Sequence, residues 1–148
     1  MRFMMILKAN RDTEAGAMPE QKALEAMGRY NQELVDAGVL LAGEGLLPSS
    51  KGARVTFSAG VPTVTDGPFP ETKELIAGFW IINVKSKDEA VAWAKKIPFA
   101  PDVHFHGNGQ VELRRVVEAE DFGDALTPEL REAEARMRRQ ASGGSPAS

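Results

Sequence analysis

The sequence predicts an α+β fold of the ferredoxin-like, split βαβ type. Strand and helix patterns follow one another in the order βαβ, hairpin, βαβ, which is the element order of that fold. The 148 residues are 43% hydrophobic and 26% charged, as in ordinary globular domains. We therefore expect one antiparallel sheet with both core helices on a single face.

The first half of the chain shows a strand, a helix and a second strand. Arg2–Lys8 has apolar side chains at successive positions, as in a central strand with two buried faces. Pro19 suits the first position of a helix and Gly38 its left-handed end, which predicts a helix over residues 19–37. A strand is predicted over residues 39–47. The apolar positions of the helix are Leu24, Met27, Tyr30 or Asn31, Leu34 and Val35.

The second half continues with a hairpin, a strand and a helix. Residues 55–65 form two short strand patterns around a glycine turn, and residues 78–85 alternate as a further strand. Ser86 and Glu89 form a capping box, because the serine oxygen can accept from the amide of Glu89. The helix that begins there is expected to stop before Pro98.

The C-terminal part lies outside the predicted core. The core domain is expected over residues 1–117, where its last strand ends. Thr127 is the expected cap of an extra helix that runs to about Arg139, within an extension over residues 118–140. Residues 141–148 have the Gly, Ser and Pro composition of a disordered tail.

Composition excludes several classes of protein. Eighteen basic and 21 acidic residues give a formal charge of -3, which argues against nucleic-acid binding. The absence of cysteine excludes disulfides and thiolate metal sites. Because no apolar run is long enough to cross a bilayer and no signal peptide is evident, we expect a soluble cytoplasmic protein without membrane partners. No phosphate loop or dinucleotide fingerprint occurs, so no cofactor is expected.

The predicted sheet has more apolar surface than two helices can cover. Phe3, Phe79 and Trp80 contribute to this surplus together with the aliphatic residues around them. A sheet face left open would exceed the apolar patch that soluble monomers tolerate. We therefore expect a homodimer that forms face to face through the sheet.

The most distinctive stretch is residues 65–74. Its Asp-Gly-Pro sequence is typical of a turn, and Phe69, Lys73 and Glu74 follow within a few residues of Asp66. A carboxylate held near an aromatic ring and an amine can serve as a general base. We expect Asp66 to point towards a cleft on the sheet near Lys73. The alternative is a plain turn with surface charges.

Glu44 lies between two glycines in an otherwise apolar strand. Flanking glycines allow a bulge or the close approach of another backbone, and a carboxylate that points inwards needs a partner. Glu44 is therefore a candidate ligand-binding residue. An edge-strand charge that discourages aggregation is the alternative.

The two histidines, His104 and His106, share one face if their segment is extended, and Asp102 lies on the same side. This geometry is compatible with a metal ion. An exposed loop before a strand is the alternative, and the sequence specifies no third ligand. We therefore assign no metal site.

The motif resembles a known family. Asp66-Gly-Pro-Phe69, followed by Glu71-Thr-Lys-Glu74 and by Gly78-Phe79, is similar to the signature of the DGPF group of YCII-related proteins. The resemblance covers roughly residues 1–117. It implies a ferredoxin-like fold that dimerises through its sheet into an α+β barrel with a cleft. Relatives of this group often accompany extracytoplasmic-function sigma factors genetically.

The sequence departs from one branch of that family, in which a histidine on the first helix and an aspartate after the second are proposed to form a catalytic pair. Met27 and Ile97 occupy those two positions here. A histidine-aspartate mechanism, including the dehydrochlorination attributed to one relative, therefore does not transfer. The remaining candidates are Asp66, Lys73 and Glu74 for catalysis, and Glu44 and Phe69 for ligand binding.

Two functions stay open on this basis. The first is a small enzyme of the lyase or isomerase type, with Asp66 or Glu74 as the base and Lys73 positioning an anionic group. The second is a noncatalytic protein that binds a small molecule or regulates a partner such as a sigma factor. The missing histidine-aspartate pair favours the second function, and the clustered charges favour the first.

Overall fold

The computed structural model describes residues 1–102 and 107–143. They form two compact units, the first of which ends at Val116 while the second begins at Val117. No helix in these two ranges is long and apolar enough to cross a membrane. The predictions made for His104 and His106 lie outside the described residues.

Within the described ranges, the first unit contains the strands and three helices, and the second unit contains the last helix. The strands are β1 (Arg2–Lys8), β2 (Leu40–Gly45), β3 (Ala53–Ser58), β4 (Val61–Asp66), β5 (Ile76–Asn83) and β6 (Val111–Arg115). The helices are α1 (Arg11–Glu14), α2 (Gln21–Asp36), α3 (Lys87–Ala94) and α4 (Pro128–Gly143). Short 3-10 turns lie at Ser49–Lys51, Thr72–Glu74 and Ala119–Ala125.

Four strands form an antiparallel sheet in the order β2-β5-β1-β6. This topology and the helices confirm the predicted α+β, ferredoxin-like fold with an extra C-terminal helix. Alternate residues of β1 are buried, and Met5 is fully enclosed. They share one core with Tyr30 and Leu34 of α2 and with Ala90 of α3. Both helices therefore pack on the same face of the sheet.

The opposite face, which we call the open face, is less covered. The β1 and β5 register places Met4 opposite Ile81 and Ile6 opposite Phe79 on this face. All four side chains are half-buried, whereas the helix-facing residues of the same strands are buried. Of the two buried faces expected for β1, the single chain therefore fully buries one.

The predicted hairpin forms, but it is separate from the four-stranded sheet. Strands β3 and β4 pair only with each other, with Val55 opposite Val64 and Phe57 opposite Pro62. These residues share one face of the hairpin, and Phe57 is 69% exposed. The expectation of a single sheet is thus wrong for this hairpin.

Helix α2 buries a different stripe from the one expected. Leu24 and Val35 are exposed, although their spacing placed them in the core. The small side chains of Ala23 and Ala26 are buried instead, together with Tyr30 and Leu34. The apolar spacing alone does not distinguish these two stripes, because both repeat with the period of the helix. Helix α1 was not predicted; it starts with a capping box of Asn10 and Thr13.

The two predicted helix caps are present. The Ser86 hydroxyl accepts from the backbone N–H of Glu89 at 3.1 Å, and the Glu89 carboxylate accepts from the N–H of Lys85. The Thr127 hydroxyl accepts from the N–H of Leu130 at 3.3 Å. Both serve the first turn of a helix, where backbone donors lack partners within the helix.

Helix α4 is longer than expected. It continues to Gly143, so the first three residues of the expected tail, 141–143, are helical. Arg138 and Glu134, which are one helical turn apart, form an ion pair of 2.8 Å that supports this end of the helix. Residues 144–148 of the predicted tail lie outside the described residues.

Candidate functional site

A cavity of about 360 Å³ lies between the start of α2 and the end of β2. Its walls come from the segment between α1 and α2, from α2 itself, from β1, and from the chain that follows β2. The lining is apolar except for Thr13 and the backbone. Its lining includes Leu7, Thr13, Met18, Leu24, Met27 and Gly45.

A smaller cavity of about 190 Å³ adjoins the first. The two share Leu7, Met27, Gly45 and Ala77 as lining residues. The small cavity adds polar groups to this apolar surface, because Asn31, Glu44 and Trp80 also line it. We call the two cavities together the edge cleft, since β2 is an edge strand of the sheet.

Glycines make room for the cleft at the sheet edge. Gly43 and Gly45 of β2 pair with Trp80 and Gly78 of β5, whose register places them on the helix-covered side. A Cβ at Gly43 would lie 3.0 Å from Cδ1 of Trp80, which is tighter than ordinary van der Waals contact. A larger residue there would therefore push the indole ring away from the strand.

Helix α2 supplies the opposite wall. Ala23, Met27 and Asn31 are spaced four residues apart, so they lie along one face of the helix. All three line the edge cleft, the first at the large cavity and the last at the small one. The cleft thus changes from apolar to polar along this face.

A hydrogen bond orients the polar end. The indole Nε1 of Trp80 donates to Oδ1 of Asn31 at 2.9 Å. The ring of Trp80 meets the ring of Tyr30 edge to face, with centroids 5.8 Å apart. Tyr30 in turn donates its hydroxyl to the carbonyl of Trp93 at 2.9 Å. Burial, with a smaller effect of Glu33, raises the pKa of Tyr30 well above its usual range, so the phenol stays neutral near pH 7.

Ser49 connects the wall of the cleft with the distinctive motif. Its hydroxyl donates to Oε2 of Glu14 at 2.5 Å, and its N–H donates to Oε1 of the same carboxylate at 3.1 Å. The same hydroxyl accepts from the N–H of Phe69 at 3.0 Å. Helix α1, the 3-10 turn after β2 and the motif are therefore held together at one side chain.

The backbone of the motif packs tightly against that turn. The N–H of Gly67 donates to the carbonyl of Gly52 at 3.0 Å, and the peptide bond from Gly67 to Pro68 is cis. The ring of Phe69 is half-buried beneath the guanidinium of Arg54, which lies 3.9 Å from the ring centroid. Arg54 also contacts Glu71 at 3.3 Å. In this chain, the contacts of the motif thus secure the loop beside the cleft.

The three charged residues predicted for catalysis lie outside the cleft. Asp66 ends β4, and Lys73 and Glu74 belong to the following 3-10 turn. Their side chains are exposed, and no ion pair joins Asp66 to Lys73 within the described chain. The described residues thus show no ion pair between these two, and their catalytic role stays a prediction. The hydrogen bonds of Gly67 and Phe69 fix the backbone after Asp66 without drawing its carboxylate inwards.

The two residues predicted for ligand binding are placed differently. Glu44 is exposed on the edge strand, and strand alternation sets its side chain on the open face with Phe79. This is the position expected of an edge-strand charge, although the residue also lines the small cavity. Phe69 lines neither of the two cavities described above.

The described residues contain no group of three or more His, Asp or Glu side chains that could hold a metal ion. Asp102, the predicted neighbour of the histidines, pairs with Lys22 at 2.6 Å. The hydrogen bond from Lys22 lowers the pKa of Asp102, whose side chain is exposed.

Sequence reasoning missed Asn31, Ser49 and Glu14. Asn31 carried a usable signal, because it is a polar residue four positions after Met27 in the apolar stripe of α2. Ser49 and Glu14 carried none, since they are 35 residues apart and meet only in the fold.

Three comparisons with known proteins place the chain. An uncharacterized protein of Rhizobium meliloti (strain 1021) is 35% identical over 78 residues, which are 53% of this chain and 63% of that protein. The chain thus spans less than two thirds of this relative. Among solved structures, the chain is similar to 5-chloro-2-hydroxyhydroquinone dehydrochlorinase from Burkholderia phenoliruptrix AC1100, in complex with 2,5-dihydroxybenzoquinone. The TM-score is 0.46 and the identity 16%, and the match covers 80% of this chain and 95% of that one. A family model described as the YCII-related domain matches residues 1–120, and the chain therefore belongs to the YCII-related family.

Proposed function

We propose that the protein binds a small, neutral organic molecule in the edge cleft. The observation that carries this proposal is the cavity of about 360 Å³, apolar over almost its whole lining, that adjoins a polar end at Asn31. Binding sites for small molecules have this combination of an apolar enclosure and a few placed polar groups.

The size and charge of the cleft narrow the ligand. A cavity of about 150 Å³ holds one benzene ring, so the large cavity has space for about two fused rings. The described residues that line the two cavities include no Lys and no Arg. A buried carboxylate or phosphate would therefore lack a compensating charge, and a neutral molecule fits better.

The proposal is tested by blocking the cleft. Gly45 lines both cavities, and a Cβ built there meets no atom within 4 Å. We expect the wild-type protein to bind 1-tetralone, a bicyclic ketone, in isothermal titration or by NMR shifts. Gly45→Phe should weaken this binding at least about 10-fold, because the ring occupies the space of the ligand.

Thr63→Phe is the matched control, since Thr63 is exposed on the hairpin and lines neither cavity. It adds the same ring elsewhere and should leave the affinity unchanged. A wild-type protein that shows no binding of the ketone up to its solubility would refute the proposal. Equal binding by Gly45→Phe would refute it as well.

Binding without turnover is supported by the residues at the two positions of the family's catalytic pair. Met27 lines the cleft where that pair has its histidine, and Ile97 is a buried core residue where the pair has its aspartate. Neither side chain can transfer a proton. The sigma-factor partner and the cytoplasmic location stay predictions from the sequence.

Catalysis by Asp66, Lys73 and Glu74 is a second proposal. It is supported by one observation: these exposed side chains make no hydrogen bond or ion pair with other described residues, so their charges are available to a substrate. Asp66→Asn preserves the local bonds of the turn and removes the charge. Any turnover found for the protein should disappear in this variant if Asp66 is the base. Unchanged turnover would exclude that role.

We also propose a homodimer that forms through the open face. Met4, Ile6, Phe79 and Ile81 form an apolar centre there, and none of the four belongs to the core cluster of the described residues. A second copy that covers this face would bury the part of these side chains that is still exposed to water.

A further inference from the structure

Building on this proposed function, we propose that Asn31, at the polar end of the edge cleft, selects ligands with a neutral carbonyl oxygen. The side-chain amide of Asn31 would donate its N–H to that oxygen. Asn31 would thereby distinguish carbonyl compounds from hydrocarbons of the same shape.

The orientation of the Asn31 amide follows from its partner. An indole nitrogen can only donate a hydrogen bond, so the atom of Asn31 that Trp80 contacts at 2.9 Å must be the oxygen. The NH₂ group, which is the donor of the amide, is therefore on the other branch of the side chain. A ligand that meets this group must offer an acceptor.

The indole itself is held firmly. Trp80 is 6% exposed, it meets the Tyr30 ring edge to face, and a Cβ added at Gly43 would lie 3.0 Å from its Cδ1. A fixed indole keeps the amide in one orientation before a ligand arrives. Preorganised polar groups of this kind give specificity because their ordering cost is already met by the fold.

The other side-chain donors that line the cleft are occupied. The Thr13 hydroxyl donates to the carbonyl of Asn10 at 3.0 Å, and Trp80 donates to Asn31. Nδ2 of Asn31 has no hydrogen-bond partner among the described residues, and the residue is half-buried at the small cavity. A ligand that displaces water from this nitrogen without an acceptor would leave it unpaired, which is unfavourable.

The charge of the lining selects between acceptors. A carboxylate would also accept from Asn31, but no Lys or Arg side chain lines the described cleft to compensate its charge. A neutral ketone, aldehyde or quinone oxygen avoids this unfavourable charge. The carbonyl class is therefore preferred over the acid.

Two probes of nearly the same shape test the inference. The ketone 1-tetralone carries the carbonyl oxygen, and tetralin is the corresponding hydrocarbon. We expect the wild-type protein to bind the ketone about 10-fold more tightly, as one satisfied hydrogen bond allows. Asn31→Asp preserves the oxygen that accepts from Trp80 and replaces the donor with an acceptor, so this preference should disappear.

Asn83→Asp is the matched control, because Asn83 is exposed and lines neither cavity. It should keep the wild-type preference. A measurement on the wild-type protein needs no variant: the NMR signals of the Asn31 NH₂ should shift with 1-tetralone and stay unchanged with tetralin.

The outcomes separate the two proposals. If both probes bind the wild-type protein with equal affinity, or if Asn31→Asp retains the preference, the role of Asn31 is wrong and the binding function stands. If neither probe binds the wild-type protein, the binding function fails and the role of Asn31 fails with it.

Discussion

Gly67 lies directly against the backbone of Ser49, so that a Cβ at Gly67 would overlap the Ser49 carbonyl oxygen. No side chain fits in this gap, and a backbone atom cannot move aside as a flexible side chain can. We predict that Gly67→Ala reduces the free energy of unfolding by on the order of 3 kcal/mol, measured by urea denaturation.

Gly52→Ala is the control for this variant. A Cβ at Gly52 meets the same Ser49 oxygen at 3.6 Å, which is ordinary contact, and its φ of -121° suits any residue. It should change stability by less than about 1 kcal/mol. Equal stability of the two alanine variants would contradict the close packing of Gly67.

The second prediction concerns Ser49→Ala. The variant removes the donor to Glu14 and the acceptor for the N–H of Phe69, both in partly buried surroundings. We expect a loss of about 1–3 kcal/mol in the free energy of unfolding, because the N–H of Phe69 loses its acceptor and the Glu14 carboxylate loses one of its two donors. The same measurement on Ser50→Ala, an exposed neighbour, supplies the reference. A loss no larger than that of Ser50→Ala would show that the connection between α1 and the motif contributes nothing to stability.

The sequence predicts the core strands, the helix caps and the element order well, because these depend on local periodicity and on neighbouring residues. The Ser86 cap is an example, since its partner is three residues away. The cleft depends instead on contacts between distant segments. Glu14 with Ser49, and Trp80 with Asn31, are 35 and 49 residues apart.

The motif also shows that sequence patterns predict local structure better than contacts between distant segments. Its turn was predictable from Asp, Gly and Pro, but the direction of the Asp66 side chain was not. That direction depends on where the hairpin lies, and the hairpin is not part of the four-stranded sheet. A local pattern fixes a turn without fixing the side of the molecule to which its charges point.

The third prediction is a pH dependence that arises from Tyr30. Burial raises its pKa above the value of about 10 found in unfolded chains, so the folded protein favours the neutral phenol. The stability that this provides is fully present below about pH 10 and is lost as the pH rises above it. Because the chain has one tyrosine, the near-ultraviolet absorbance of phenolate reports on this residue alone.

We expect little phenolate in the folded protein near pH 10, and about half of the tyrosine as phenolate after unfolding in urea at the same pH. Tyr30→Phe should remove this contribution to the pH dependence of stability. It also loses the hydrogen bond to Trp93, which costs about 1 kcal/mol at neutral pH. Half-ionised tyrosine in the folded protein at pH 10 would contradict the burial argument.

The last prediction tests the homodimer at the centre of the open face. Ile81 is half-buried there, opposite Met4, and its side chain points away from the helices. Ile81→Lys places a charge where a second copy would pack, and a long lysine can still reach water in the monomer. Sedimentation should give about twice the 16.0 kDa chain mass for the wild-type protein, and the chain mass for this variant.

Thr63→Lys adds the same charge on the polar face of the hairpin and should stay dimeric. A wild-type protein that sediments at 16.0 kDa in the micromolar range would refute the dimer. A dimeric Ile81→Lys variant would place the interface elsewhere, because an isologous contact through this face would contain the new charge twice, once from each copy.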